Sequence, residues 1–425
     1  MKKTVVSMLV LVFLAAMIYP VAGAEKTTLT FWTYQQFHEA HLEKAVERWN
    51  KKNPDRPVEL QTDVLPYDEM HNKLLISLQS GVGAPDLVDI EISKFPNYIR
   101  GRRPGLVALN SVVEPVLDKC VEARFSIYGK DGNYYGIDYH VGALVMYYNQ
   151  EYLDQAGVDV DAIETWDDYV EAGKKVVAAT GKPMATVEIT EHWSLYPLMI
   201  QYGSDIFAED GSIILDNPEN VAILTFLKDM VHKDEVAVPA PGGFHHSEEY
   251  WAFMNGGGAA SLMMPMWYMG RFVEYMPDLK GKILIRPCPA WEKGGIRSAG
   301  MGGTGTAVTV QSRNQDLAVE FLAEAKLSRE GAIDTWSILG FDPIRWDVWD
   351  APEMSAENEF TDYFGTEIFD ILLEIKDEIN APIITEKFPL AVDLLKRNVS
   401  FKAIRELSLT PEEALKEAAE ELRKS

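Results

Sequence analysis

The chain has 425 residues, of which 47% are hydrophobic and 25% are charged, proportions that are ordinary for a globular protein. Its formal net charge of −25 repels phosphate backbones and anionic lipid surfaces, so it argues against binding to nucleic acid or to a membrane surface. A chain of this length is long for one hydrophobic core, so we expect two lobes.

The first residues have the pattern of a secretory signal peptide. Two lysines precede an almost wholly apolar run at 5–18, and Ala22-Gly23-Ala24 supplies the small residues of a cleavage site. We expect residues 1–24 to be removed and the mature chain to begin at Glu25, in the periplasm or outside the cell. No cysteine lies near the cleavage site, so we expect no lipid anchor. An uncleaved N-terminal anchor is the alternative.

Strand patterns and amphipathic helix patterns alternate along the chain that follows. Strands are predicted at 28–32, 58–64 and 85–90, and helices at 41–49 and 67–79, where apolar residues recur at i, i+3, i+4 and i+7. This order predicts parallel βαβ units and therefore an α/β lobe.

Later segments continue the same alternation. A buried strand is predicted at 143–148, and Thr165 with Asp168 resembles a capping box that begins a helix ending at Gly181. Further helices are predicted after Asn217, at 317–327 and after Thr410. A loop around a short helix is predicted at 239–258, and a strand is predicted at 259–264.

The segment GMGGTG, residues 300–305, has the G-x-G-x-x-G spacing of dinucleotide-binding sites. That fingerprint requires a helix after the glycines, whereas the Thr and Val residues at 304–310 favour a strand. We therefore disfavour a dinucleotide enzyme. The glycines then serve either close backbone approach to a ligand or only a tight turn.

The sequence contains no recognisable catalytic or metal-binding motif. It lacks a G-x-S-x-G elbow, zinc-ligand spacing, an EF-hand loop and a P-loop, and pairs of acidic residues arise by chance among 65 carboxylates. We predict no enzyme activity, no cofactor and no metal. A secreted glycoside hydrolase is the alternative, because its two carboxylates can come from anywhere in the sequence.

Aromatic residues are the most informative feature. Several of the ten tryptophans follow strands or lie in predicted loops, and polar or charged residues flank them. Ligands bind at the carboxyl ends of strands in open α/β sheets, and flat rings beside charged groups suit the apolar face and hydroxyl rim of a sugar. A single tryptophan is more often core, but the set favours a carbohydrate cleft.

The segments TLTFWTY, WNKKNP, GAPDLVDIE, MYYNQEYLDQAGV and TWDDYVEAGKK resemble the carbohydrate-binding proteins of bacterial ABC importers. The resemblance covers essentially the whole mature chain, and the order of segments is similar to that of maltose-binding protein. Two further segments, GGTGTAVTVQSRNQDLAVEFLAEAKLSREG and LGFDPIRWDVWDAPE, resemble the arabino-oligosaccharide-binding subgroup.

The resemblance implies a two-lobed α/β fold of the periplasmic binding protein type, with hinged lobes and a ligand cleft between them. The first lobe would comprise 25–138 and 286–339, and the second 139–285 and 340–425 with the C-terminal helices. Cys120 and Cys288 would both lie in the first lobe, either bridged or as free thiols. The implied function is that of a monomeric receptor that captures an oligosaccharide, arabinose-containing in this subgroup, and delivers it to a membrane permease.

The resemblance also implies which residues bind the ligand. They are aromatic, acidic and polar residues at strand ends, the glycines that allow close approach, and two residues from the subgroup match: Trp32, Tyr34, Gln35, Glu91, Glu191, Trp193, Trp267, Gly302, Gly303, Arg345 and Trp346.

Overall fold

The computed structural model describes residues 25–425, so the predicted signal peptide lies outside the described residues. Within that range the strands are β1 (Thr27–Thr33), β2 (Val58–Val64), β3 (Leu87–Glu91), β4 (Gly129–Lys130), β5 (Asn133–Tyr134), β6 (Ile137–Asp138), β7 (Leu144–Asn149), β8 (Ala185–Val187), β9 (Ala237–Pro239), β10 (Ser261–Pro265), β11 (Ile283–Pro287), β12 (Ser298–Ala299), β13 (Thr304–Val308) and β14 (Ile379–Asn380). The α-helices are α1 (Gln36–Lys52), α2 (Tyr67–Ser80), α3 (Asn110–Val113), α4 (Ala123–Ser126), α5 (Gln150–Ala156), α6 (Trp166–Thr180), α7 (Tyr196–Tyr202), α8 (Pro218–His232), α9 (Glu248–Asn255), α10 (Met269–Tyr275), α11 (Gln315–Lys326), α12 (Arg329–Leu339), α13 (Glu359–Phe364), α14 (Ile368–Ile375), α15 (Phe388–Leu394) and α16 (Pro411–Lys424).

The first lobe is built on a five-stranded sheet of order β2-β1-β3-β13-β6. β1 pairs in parallel with β2 and β3, as the βαβ pattern predicted, while β13 runs antiparallel between β3 and β6. The carboxyl ends of β1 and β3 therefore lie at one edge of the sheet. The start of β13 lies at the same edge, because Thr304 pairs with Glu91.

The second lobe is built on an antiparallel sheet of order β10-β7-β11. Every residue of β7 is buried, because helices cover both faces of this sheet. One face packs against α6, α7, α8, α15 and α16 in a core of its own. The other face joins a larger core that extends to the first lobe. The short parallel strands β8 and β9 lie beside this sheet.

Three chain segments pass side by side between the two sheets, at 139–143, 299–303 and 340–343. The Val141 N–H donates to the Asp342 carbonyl at 2.8 Å, and the Met301 N–H donates to the Gly142 carbonyl at 2.9 Å. These bonds tie the segments together where a hinge would lie. The predicted lobe boundary at 286 falls inside β11, whose five residues all pair with β7, so the chain returns to the first lobe only near residue 300.

The two cysteines are both free and buried. Cys120 packs with the core that contains Phe125, whereas Cys288 lies in the second-lobe core with Leu144. The expectation that both lie in the first lobe is therefore wrong for Cys288, which directly follows β11.

The predicted helix caps are confirmed. Thr165 and Asp168 form a capping box at the start of α6, and Thr410 and Glu413 form another at the start of α16. Gly181 ends α6 in the left-handed conformation that favours glycine, with φ of 68°.

Candidate ligand cleft

A cavity of about 750 Å³ lies between the two lobes, a size typical of small-molecule sites. Its first-lobe wall comes from the turn after β1 and the end of β3, and its second-lobe wall comes from the loops after β8, β9 and β10. The segment 301–304, which crosses between the lobes, also lines it. The sheet topology thus brings loops that are distant in sequence to one cleft.

Eight of the eleven predicted site residues line this cavity. They come from both lobes and from the crossing segment: Tyr34, Gln35, Glu91, Glu191, Trp193, Trp267, Gly302 and Gly303. Their role in ligand binding stays a prediction, which their shared position supports.

The other three predicted residues lie elsewhere. Trp32 is inside β1 rather than beyond its end, so strand alternation turns it to the sheet face covered by α2, where it packs with Met70 and Leu74. The Nζ of Lys73 lies 3.9 Å from the centre of its ring. Trp32 is therefore a core residue and does not line the cleft.

Arg345 and Trp346 also do not line the cavity. The Arg345 guanidinium donates from Nε to the Asp347 carboxylate at 2.8 Å and from Nη1 to the Leu327 carbonyl at 2.8 Å. Trp346 lies next to it in a short turn of helix, where it packs against the larger core. Trp336 and Trp349 are fully buried core residues.

On the first-lobe wall, Glu91 is held through one carboxylate oxygen only. Its Oε2 accepts hydrogen bonds from the Tyr67 hydroxyl at 2.9 Å and the Ser93 N–H at 2.9 Å. Tyr34 stands edge-on to Tyr67, with ring centres 5.1 Å apart. No donor among residues 25–425 reaches the Oε1 of Glu91, so this oxygen is available to a ligand.

On the second-lobe wall, Glu191 has the same arrangement. Its Oε2 contacts the Lys396 Nζ at 3.0 Å and the His192 Nδ1 at 3.3 Å, while its Oε1 has no donor in the described part of the chain. Burial alone would raise the pKa of Glu191, but His192 and Lys396 outweigh that effect and lower it. The carboxylate is therefore charged at neutral pH, with one oxygen free.

Aromatic rings lie beside Glu191. Trp193 meets Trp267 edge to face with ring centres 5.2 Å apart, and His246 stacks on Trp267 at 5.4 Å. The Trp267 Nε1–H donates to the Met301 carbonyl at 3.1 Å, which holds the ring against the crossing segment. Trp193 and Trp267 are each only partly buried, so part of their surface faces the cavity.

Positions 302 and 303 require glycine because of their backbone conformation and because no space is left for a side chain. Their φ angles are 73° and 142°, in the region that favours glycine. A Cβ on Gly302 would lie 2.9 Å from the Nε1 of Trp267, and one on Gly303 would lie 2.5 Å from the Oδ2 of Asp138. The strand β13 follows these glycines, which confirms the prediction that no helix opens there.

Sequence reasoning missed several residues of the cavity. Phe37 and His192 neighbour predicted residues in the sequence and could have been found from that proximity, whereas His246 lies near Trp267 only in space. Lys396 and Phe341 come from distant segments with no local signal. No group of three or more His, Cys, Asp or Glu in the described range is placed to hold a metal ion. No helix among residues 25–425 is long and apolar enough to cross a membrane.

Residues 36–329 match the family described as bacterial extracellular solute-binding protein. The chain is similar to the arabinooligosaccharide-binding protein of Bacillus subtilis (strain 168), with 51% identity over 100% of both chains, and to that of Halalkalibacterium halodurans, with 53% identity over 93% of this chain and 88% of the relative. The fold is similar to that of the sugar-binding protein MalE from Xanthomonas citri, with a TM-score of 0.78, 17% identity and coverage of 94% of this chain and 97% of that one. The match along the chain, the two relatives and the two-lobed fold agree, and the chain therefore belongs to the bacterial extracellular solute-binding proteins.

Proposed function

We propose that the protein is the substrate-binding component of an ABC sugar importer and that it captures an arabinose-containing oligosaccharide in the cleft. The two relatives at 51% and 53% identity are arabinooligosaccharide-binding proteins, which supports this choice of sugar. The observation that carries the proposal is the pairing of partly exposed tryptophans with two carboxylates, one on each wall, that each keep an oxygen free.

The sugar is bound without covalent chemistry. Trp193 and Trp267 offer apolar faces to the C–H face of a sugar ring, and Glu91 and Glu191 accept hydrogen bonds from its hydroxyls. Because the two carboxylates belong to different lobes, a ligand that contacts both favours the closed arrangement of the lobes. The closed, monomeric receptor then presents the sugar to a membrane permease.

Calorimetric titration tests the proposal. The protein is titrated with arabino-, xylo-, malto- and galacto-oligosaccharides and with the monomeric sugars. We expect binding of arabino-oligosaccharides and weaker or no binding of the other series. Binding of none of these sugars would remove the proposal, and a preference for another series would change only the assigned sugar.

Release of the sugar unaltered is a further part of the proposal. The family and the close relatives are binding proteins, which supports the absence of turnover. Long incubation with arabino-oligosaccharides, followed by chromatography of the products, should recover the starting sugars. Shortened products whose formation stops in a Glu91→Gln or Glu191→Gln variant would instead indicate a glycoside hydrolase.

The family is extracellular, and we propose that the mature chain begins at Glu25 after removal of residues 1–24. Mass spectrometry of the exported protein tests this boundary, and a retained leader would contradict it.

A further inference from the structure

Glu188 is a buried carboxylate behind the aromatic wall of the cleft. It directly follows β8, it is fully shielded from solvent, and it does not line the cavity. No lysine or arginine in the described part of the chain forms an ion pair with it. A carboxylate without a cation in such a place is costly unless hydrogen bonds compensate for the lost water.

The compensating hydrogen bonds come from two loops of the cleft wall. The Oε2 of Glu188 accepts the backbone N–H of Trp193 at 2.8 Å, and the Oε1 accepts the backbone N–H of His245 at 2.8 Å. Trp193 lines the cleft, and His245 directly precedes His246, which stacks on Trp267. One carboxylate thus holds the main chain of Trp193, which contacts Trp267, and the main chain of the residue before His246, which also contacts it.

The fold explains why the two loops meet at this side chain. β8 and β9 run in parallel, so the loops that follow them leave from the same edge. The Ile189 N–H also donates to the Gly243 carbonyl at 2.9 Å, and the His245 Nε2 lies 3.0 Å from the Thr186 hydroxyl. Among these links, only the Glu188 carboxylate bonds to the N–H groups of both Trp193 and His245.

We propose that Glu188 is a positioning residue for sugar binding: by joining the two loops it sets Trp193 and His246 against Trp267 and so fixes the shape of the stacking surface. The inference rests on the proposed function, because it assigns a role within the same cleft. Glu188 acts through the rings and does not touch the ligand.

The protonation state of Glu188 gives the proposal a readout that a purely structural residue lacks. Burial raises the pKa of Glu188 to about 8, the His245 and Trp193 N–H groups and Lys396 oppose that rise, and Glu191 adds to it. His245 and Tyr250 are the other titratable groups nearby, and neither takes a charge near neutral pH, because burial lowers the pKa of His245 to about 3 and raises that of Tyr250. The ionised carboxylate makes the stronger bonds to both N–H groups, so sugar affinity should rise from about pH 7 to about pH 9.

The experiment compares the wild-type protein with Glu188→Gln and with a control, Asp86→Asn. Asp86 is a carboxylate of the first lobe that also joins separate segments, through Thr30 N–H at 2.8 Å and the Ser312 hydroxyl, but it lies away from the cleft. Arabino-oligosaccharide affinity is measured by calorimetry at several pH values, and melting temperature is measured without sugar.

We expect E188Q to raise the Kd about tenfold at about pH 8.5 and to remove the rise in affinity with pH, since one of the two bonds is lost. The D86N variant should lower the melting temperature while leaving the Kd within about twofold of the wild-type value. An E188Q variant that binds like the wild-type protein at every pH overturns the inference. If E188Q does not fold, a flat pH profile of wild-type affinity overturns it. Failure of the wild-type protein to bind any sugar refutes the proposed function itself, which separates the two outcomes.

Discussion

Replacing Trp267 with alanine tests the stacking surface directly. The ring is held by three protein contacts: the hydrogen bond to Met301, the edge contact with Trp193 and the stack with His246. Part of its surface faces the cavity and is available to a sugar ring. The substitution removes that surface and also frees Trp193 and His246 to move.

The expected loss follows from these contacts. Removing a large aromatic residue at the centre of a binding surface costs about 1–3 kcal/mol, which raises the Kd about 5- to 150-fold. The upper part of this range is expected, because Trp267 supports its neighbours as well as offering its own face. Trp267 also packs against the larger core, so the melting temperature should fall too.

A matched control separates binding from stability. Trp291 is a partly buried tryptophan of the second lobe that packs with Trp166, Tyr202 and Phe226, away from the cleft. Trp291→Ala should lower the melting temperature by a similar amount and leave the Kd unchanged. The assay is calorimetric titration with an arabino-oligosaccharide, together with thermal unfolding followed by circular dichroism. If W267A binds the sugar as tightly as W291A does, Trp267 is a packing residue and the stacking argument is wrong.

Three other predictions address the cleft and the hinge. Glu91→Gln removes a charged acceptor and should weaken sugar binding by about 1.5–3 kcal/mol in the same titration, whereas an unchanged Kd would show that its Oε1 contacts no hydroxyl. Trp32→Phe should leave the Kd unchanged, because Trp32 is core; a large loss of affinity would contradict its burial beneath α2. Burial raises the pKa of Asp342 to about 7, far above its ordinary value, so the folded state loses stability as the pH rises towards 7. Between about pH 5 and about pH 8 the unfolding free energy of the wild-type protein should fall about 2–3 kcal/mol more than that of Asp342→Asn, as measured by denaturant unfolding; parallel pH curves would refute this.

Most secondary structure could be predicted from the sequence because its signals are local. The strand predicted at 58–64 is found as Val58–Val64, and the caps at Thr165 and Thr410 form the predicted hydrogen bonds. The ends of elements carry weaker local signals. The helix predicted at 41–49 begins at Gln36 in the structure. The prediction began too late because the first turn carries little apolar periodicity.

Some site residues could be predicted because they stand where a strand ends, and the ends of parallel strands meet at one edge of a sheet. Tyr34 and Glu91 lie at strand ends, and the parallel pairing of β1 and β3 brings those ends together. Trp32 looked equivalent, but β1 continues to Thr33 and turns the ring towards α2. A shift of one residue along a strand reverses the face that a side chain takes.

The sequence by itself determined the alternation of strands and helices, the caps, the absence of a helix after the glycines, and the resemblance to sugar receptors, because each depends on neighbouring residues. Only the tertiary structure decided which tryptophans reach the cleft and where the chain returns to the first lobe. It also decided that Lys396 contacts Glu191 and that Glu188 joins two loops. Those contacts join residues far apart in the chain. They depend on how the lobes pack, which no local pattern encodes.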